Sequence, residues 1–498
     1  MISKNTSMMP GILESSTHGL NEPVMTVGVI DRQAEVAGCL NGNFYVDGFG
    51  PVSGMFSAKA ISDNIVLTDD DNCEIARASL IRLAADKTST FTLFQVTIGK
   101  QFHWERKENQ TFQGNLVLKA RNDGTMAIID EILLEDYLNS VVSSEMSGNA
   151  PVEFLKAHAV ISRSWLIAAL DRKRRARPAE TQNLASLQTL EGATIAGIQS
   201  VKELSSSQSE REGEAPTVLP VEGATQAPEI VRWYEQEDHD LYDVCADDHC
   251  QRYQGVTKIV SVHAGEAVLK TRGQVITYMG EVCDARYSKA CGGITEAFET
   301  AWDDNRVPYL ESISDATASY LPIITEEDAA RWILSEPDAY CNTEDADILA
   351  RILPDFDRET EAFFRWKIEY KREELEKILL EKSGIDFGTL KGIQPLSRGP
   401  SGRIFRLKII GSKKSIVVGK ELEIRRWLSV SHLYSSAFIV NMEYDAQGEV
   451  KTFVFHGAGW GHGVGLCQIG AAVMATKGFS AEGILRHYFP GTEIQRIY

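Results

Sequence analysis

Short apolar runs alternate with polar and turn-forming residues along roughly the first hundred positions. Val24 to Ile30 and Phe91 to Ile98 have the composition of strands, and the Gly- and Asn-rich stretch from Gly42 to Gly54 reads as loop and hairpin. Leu116 to Leu118 and Met126 to Ile129 flank Asn122-Asp123-Gly124, which predicts a second hairpin. The rhythm then turns helical near Leu134. Asn149 and Pro151 open a longer helix, since Pro suits a first helical turn and Asn can cap it. Val152 to Leu170 is apolar on several faces and predicts a largely buried helix, with Glu153 in its first turn where a carboxylate suits the dipole. Lys156 and Arg163 share one face of that helix. Either their stems pack while their heads reach water, or they face a ligand.

The helical pattern is lost from about 176 to 230. Ser205 to Gly223, rich in Ser, Glu and Gly, predicts a solvated low-complexity insertion. A second, helical insertion at about 323–390 carries Leu375, Ile378 and Leu379 at amphipathic spacing within Phe363 to Leu380. Strands return at Ile404 to Ile410 and Ser415 to Val418. Together these elements predict an α+β fold, a mixed β-rich core around a buried helix. We expect a tail at 1–23, a small β-rich domain at 24–111 and a larger domain at 112–498 that holds both insertions.

A chain of 498 residues, 43% hydrophobic, is long enough for more than one core. Its formal net charge of −19 repels nucleic acid and anionic lipid, and Arg172 to Arg175 is a local run that suits a helix end. No stretch of about 20 apolar residues predicts a membrane span. No apolar segment follows Met1 to Ser7, so no secretory signal is visible.

Four of the eight cysteines fall between Cys245 and Cys291. His239, Cys245, His249 and Cys250 supply nitrogen and sulfur donors that suit tetrahedral zinc, although adjacent His249 and Cys250 need a turn to converge. Cys283 and Cys291 are alternative ligands, or disulfide partners for Cys245 and Cys250.

Two segments suggest further chemistry. In Val141 to Trp165 (VVSSEMSGNAPVEFLKAHAVISRSW), Glu145 sits in a loop just before the buried helix; by spacing alone it is an ordinary surface carboxylate. In His456 to Gly470 (HGAGWGHGVGLCQIG), five glycines alternate with larger residues. If extended, this segment sets His456, Trp460 and His462 on one side and bare backbone on the other, an arrangement suited to a sugar ring and acid–base chemistry. It matches neither a phosphate loop nor a dinucleotide fingerprint.

The first segment resembles the SEM…ALKAQAVAARTY signature of the stage II sporulation protein D / LytB family. The second resembles that family's GWGHGVGMSQYGA, and His487 to Thr492 (HYFPGT) resembles the HYYPGT that follows it. Cys245 to Gly255, Tyr287 to Glu296 and Ser397 to Phe405 look like the segments between, so the resemblance spans about 112–498. It implies a peptidoglycan lytic transglycosylase with Glu145 as single acid and base, cutting between N-acetylmuramic acid and N-acetylglucosamine to leave 1,6-anhydro ends. Lys156, Arg163, Ser288, Trp460, His462 and Gln468 would bind or orient the glycan. No cofactor is required, and zinc at His239, Cys245, His249 and Cys250, a site known in some members, would be structural. Such a substrate places the protein in the cell envelope or periplasm. The resemblance also allows a non-catalytic amidase enhancer that binds peptidoglycan and a cell-wall amidase. A zinc hydrolase is disfavoured because no HExxH occurs. Ser143, His158, Cys467 and Ile469 depart from the residues common in the family, which bears on substrate detail.

Overall fold

The computed structural model describes residues 22–99, 105–176, 227–232, 239–259, 261–354, 357 and 362–498. The expected low-complexity segment Ser205 to Gly223, and residues 1–21 of the expected tail, lie outside them. The fold is α+β.

Ten strands form most of its main sheet: β1 (Val24–Gln33), β2 (Glu35–Val46), β3 (Gly50–Ile61), β4 (Asn64–Asp69), β5 (Glu74–Ala78), β6 (Leu80–Ala85), β7 (Thr90–Ile98), β8 (Arg106–Gln113), β9 (Asn115–Ala120) and β10 (Met126–Leu133). The two-residue strand Val244–Cys245 joins at one edge beside β1, and the order runs through β10, β9, β6, β2, β3 and β4 to β5, while β7 pairs with β2 and β8. Alternation explains the burial. In β7, Phe91 and Leu93 face the core, and a register shift at Gln95 lets Val96 and Ile98 face it too.

This sheet bears out one expectation and corrects another. Gly42 to Gly54 holds a hairpin as expected, with β2 and β3 paired from Glu35–Lys59 to Val46–Gly50 and more of the stretch in strand than in loop, and Gly42 marks a bulge with φ +116°. The 111/112 boundary falls inside β8, β9 pairs with β6, and one apolar core takes residues from both sides of it. The N-terminal strands are thus part of the platform that carries the site.

Two helices follow β10: α1 (Leu134–Glu145) and α2 (Val152–Ala176). The carbonyl of Pro151 accepts the first bond of α2, which begins at Val152. Phe154, Leu155, Ala157, Ala159, Val160 and Ile161 are all buried, which fixes α2 as the central helix.

A second apolar core lies farther along the chain. The segment Arg365–Lys371 is a strand, not the start of the expected helix, and it pairs antiparallel with Val450–Ala458. The signal was present: Trp366 and Tyr370 are buried while Lys367 and Glu369 are exposed, a period of two. The helix is confined to Arg372–Ser383, with Leu375, Ile378 and Leu379 buried as expected. Ile404–Gly411 and Ser415–Gly419 form the expected strands. No helix among the described residues is long and apolar enough to cross a membrane.

Candidate active site

α1 ends on Glu145, so this carboxylate is the last helical residue rather than part of the loop beyond it. It is half-buried, and Oε1 accepts from the backbone N–H of Arg252 at 2.9 Å and from the Tyr287 hydroxyl at 3.2 Å. Oε2 accepts no hydrogen bond among the described residues. One oxygen is therefore held while the other is left without a hydrogen bond among the described residues.

The groups around it are charged and paired. Arg252 donates to Asp248 Oδ1 from Nε (3.0 Å) and Nη2 (2.6 Å). Burial works against the guanidinium cation, but Asp248, Glu145 and Asp357 together raise its pKa. Burial also pushes the Asp248 carboxyl above its ordinary range. Lys289 Nζ donates to the backbone carbonyl of Glu145 (3.1 Å) and pairs with Asp357 (2.7 Å).

Behind Glu145, burial and then the Glu145 charge push the Tyr287 phenol well above its usual pKa, so it stays a donor. The Tyr287 ring packs on His158 with centroids 4.9 Å apart. His158 is fully buried, with Nδ1 at 3.3 Å from Ser162 Oγ and Nε2 at 3.1 Å from Gln468 Nε2. Burial, helped by Lys289, lowers its pKa to about 3, so the ring is neutral. With the Gln468 amide donating to Nε2, the remaining proton sits on Nδ1. A continuous chain of contacts thus runs from Gln468 through His158 and Tyr287 to Glu145.

The Gly-rich segment meets this chain from the other side. Tyr287 and Ser288 pair in parallel with Leu466 and Cys467, while Ala290 and Trp460 exchange backbone hydrogen bonds of 3.2 and 2.7 Å. The segment is not one extended strand. His456 to Ala458 belong to a strand, but Gly459, Gly461, Gly463 and Gly465 all have φ between +75° and +90°. Neighbours occupy the places a side chain would need: a Cβ on Gly465 would lie 2.1 Å from the Arg286 carbonyl oxygen, and one on Gly463 2.3 Å from the Arg403 guanidinium carbon. Fully buried Arg403 clamps the segment, donating to the carbonyls of Gly461 (3.2 Å) and Cys291 (3.0 Å).

The expected ligand-facing residues separate into groups. Gln468 belongs to the Glu145 chain. Ser288 is next to Tyr287, and its buried Oγ has no partner among the described residues. Trp460 is half-buried, flat against Tyr434 at 4.1 Å. His462 Nδ1 accepts from the Val464 N–H at 3.0 Å, and burial, with Arg286 and Arg403, holds its pKa well below the usual value. It is therefore a neutral packed ring rather than an acid.

Arg163 corrects the expectation of a ligand-facing side chain. It is fully buried, with Nε and Nη2 on Glu135 (2.9 and 2.6 Å) and Nη1 on the Gln274 carbonyl (2.9 Å), so it locks α1 to α2. Lys156 pairs with Glu153 at 2.6 Å and lines a groove of about 700 Å³ with Lys270, Glu482 and Arg486; Glu145 is not part of that groove.

His239, Cys245, His249 and Cys250 converge, with one donor atom from each within 4.8 Å of the others. A turn closed by Cys250 N–H to the Asp247 carbonyl (3.0 Å) brings the adjacent His249 and Cys250 together. Three nitrogen–sulfur separations are 3.3, 3.4 and 3.8 Å. Bonds of about 2.0–2.3 Å around tetrahedral zinc put such donors about 3.5 Å apart, so the set fits a closed structural zinc site. Cys283 and Cys291 take no part in it, and every cysteine is a free thiol.

Tyr287, Arg252, Asp248 and Lys289 were not singled out from the sequence. Tyr287 and Lys289 lie in the same short segment as Ser288, and both reach Glu145, one at its carboxylate and the other at its backbone carbonyl.

Parts of the chain are similar to known proteins. Residues 122–215 and 221–278 match the family described as stage II sporulation protein. In this part the chain is similar to the stage II sporulation protein D / LytB family. Residues 296–465 match a domain of unknown function, DUF8618. Among similar proteins, the amidase enhancer of Bacillus subtilis is 24% identical over 47% of this chain, and the match spans only 32% of that longer protein. Stage II sporulation protein D of Bacillus amyloliquefaciens is 23% identical over 74% of this chain and 75% of its own length. An uncharacterized protein of Brachyspira hyodysenteriae is 23% identical over 77% of this chain and 72% of its own length.

Proposed function

We propose that this protein is a peptidoglycan lytic transglycosylase in which Glu145 is the only acid and base. The observation that carries the reading is the asymmetry of Glu145, with Oε1 fixed by Arg252 N–H and the Tyr287 hydroxyl and Oε2 without a partner among the described residues. In this reaction Oε2 protonates the glycosidic oxygen between N-acetylmuramic acid and N-acetylglucosamine. The resulting carboxylate takes the proton from the muramic 6-hydroxyl, which attacks the anomeric carbon and closes the 1,6-anhydro ring. Ordinary glycosidases need a second carboxylate. Asp248 and Asp357 are each tied to a cation, Arg252 and Lys289, which favours the one-carboxylate route. Ser288 and Trp460, beside Tyr287 and across from Ala290, are the proposed glycan contacts.

The test incubates wild type and Glu145→Gln with glycan strands, intact and stripped of stem peptides, and looks for 1,6-anhydromuramic ends by mass spectrometry. Production by wild type and not by the variant supports the reading. Folded wild type that makes none on either substrate removes it.

A second reading rests on the relative named amidase enhancer, which aligns with 47% of this chain. On that reading the protein binds glycan strands and a cell-wall amidase without cutting. Capture of an amidase, together with inactivity on both substrates, would support it.

A further inference from the structure

Cys291, Asp315, Cys341 and Cys467 are far apart in sequence, yet one sulfur or oxygen from each lies within 4.8 Å of the others, and all four residues are buried. We propose that they form a second, closed zinc site with three thiolates and one carboxylate. It is separate from His239, Cys245, His249 and Cys250.

Three observations support this. The first is spacing. Cys291 Sγ and Cys341 Sγ are 3.8 Å apart. Zinc–sulfur bonds of about 2.3 Å at the tetrahedral angle give a sulfur–sulfur edge of about 3.8 Å, whereas a disulfide needs about 2.05 Å.

The second is the hydrogen bonding around the donors. Backbone amides point at the sulfurs, from Cys291 N–H to Cys467 Sγ (3.2 Å) and from Gly293 N–H to Cys291 Sγ (3.4 Å). The Asp315 carboxylate is oriented by Cys341 N–H (2.8 Å) and the Tyr488 hydroxyl (2.5 Å). Such outer bonds are what hold metal ligands in place.

The third is the absence of a counter-charge. Of the described hydrogen bonds and ion pairs to Asp315, none comes from Lys or Arg, although its residue exposure is zero. A buried carboxylate among thiols is costly unless paired or bound to metal. Its place in the fold is equally specific. A Cβ on Gly470 would lie 2.3 Å from Asp315 Oδ1, so the helix Gln468–Thr476 leaves room for this carboxylate.

The site would join four parts of the chain. Cys291 follows the Tyr287–Ser288 strand, Asp315 follows Ser314, which bridges to Ile294, Cys341 comes from the second insertion, and Cys467 directly precedes Gln468. Metal here would set the position of Gln468, and through His158 that of Tyr287, making it a structural support for the candidate active site rather than part of its chemistry.

The experiment measures zinc per chain by elemental mass spectrometry on full-length protein purified with reductant and without chelator. Two zinc ions are expected in wild type, one in Cys245→Ser/Cys250→Ser, and one in Cys341→Ser. Loss of all zinc from Cys245→Ser/Cys250→Ser, with that variant folded, overturns the proposal. Cobalt loading of the same double variant provides a second readout that does not depend on Cys341→Ser folding. Strong thiolate-to-cobalt charge-transfer absorption is expected, and its absence overturns the site. A Cys291–Cys341 disulfide found by non-reducing alkylation and mass spectrometry also overturns it.

Discussion

Glu145 and Glu296 lie in two of the family-like segments, but their surroundings differ. Glu296 is fully buried and accepts four hydrogen bonds: Ala297 N–H and Thr300 Oγ1 on one oxygen, Ser401 N–H and Oγ on the other. Burial raises its pKa, and Ser401 and Arg403 oppose that rise. Glu145 is half-buried and has one oxygen without a partner among the described residues. A carboxylate whose acceptor sites are filled can only hold structure together. One that is half held is positioned and still able to exchange a proton.

This comparison can be broken most directly at Glu145. Glu145→Gln should lower release of 1,6-anhydro ends by at least about 100-fold with an unchanged melting temperature; retained activity would place the acid elsewhere. Glu296→Ala should cost roughly 3 kcal/mol of unfolding free energy, because it leaves Arg403, Ser401 and Thr300 without their buried partner, as read by urea titration. Activity per folded molecule should survive.

A smaller, pH-dependent effect is expected at His158. Its pKa is about 3 in the folded protein against an ordinary 6.5. The unfolded chain takes up this proton first, so stability is complete above about pH 6.5 and is lost as pH falls toward 3. His158→Gln should flatten that part of the profile, measured as melting temperature at pH 7 and pH 4.5. Identical slopes would show that other groups set the acid sensitivity. Lys156→Ala should change least, about 0.5 kcal/mol for a half-exposed ion pair, with unaltered KM on glycan strands. A raised KM would extend the site into the groove.

Much of this was legible in the sequence because the signal was local. The hairpin around Asn122 to Gly124 shows in its turn residues, and α2 in its apolar faces. The donors of the first zinc-type site lie within a dozen residues, so their chemistry could be read before their geometry. Long-range features could not be read in this way. Nothing local distinguishes Arg163, locked on Glu135, from a ligand-binding arginine. The strand Arg365–Lys371 was hidden by the helix that directly follows it, although Trp366 and Tyr370 alternate with charged neighbours. The β-rich N-terminal region looked independent because a run of hairpins does not show which later strands close the sheet.

The parallel pairing of Tyr287–Ser288 with Leu466–Cys467 has a consequence for how the protein comes to function. Contacts between segments so distant in sequence cannot form early in folding. On a ribosome, Glu145 and Tyr287 emerge long before Gln468. A nascent chain therefore carries the carboxylate without the backing that fixes the tyrosine behind it, so the late-synthesised segment acts as a timer for assembly of the site.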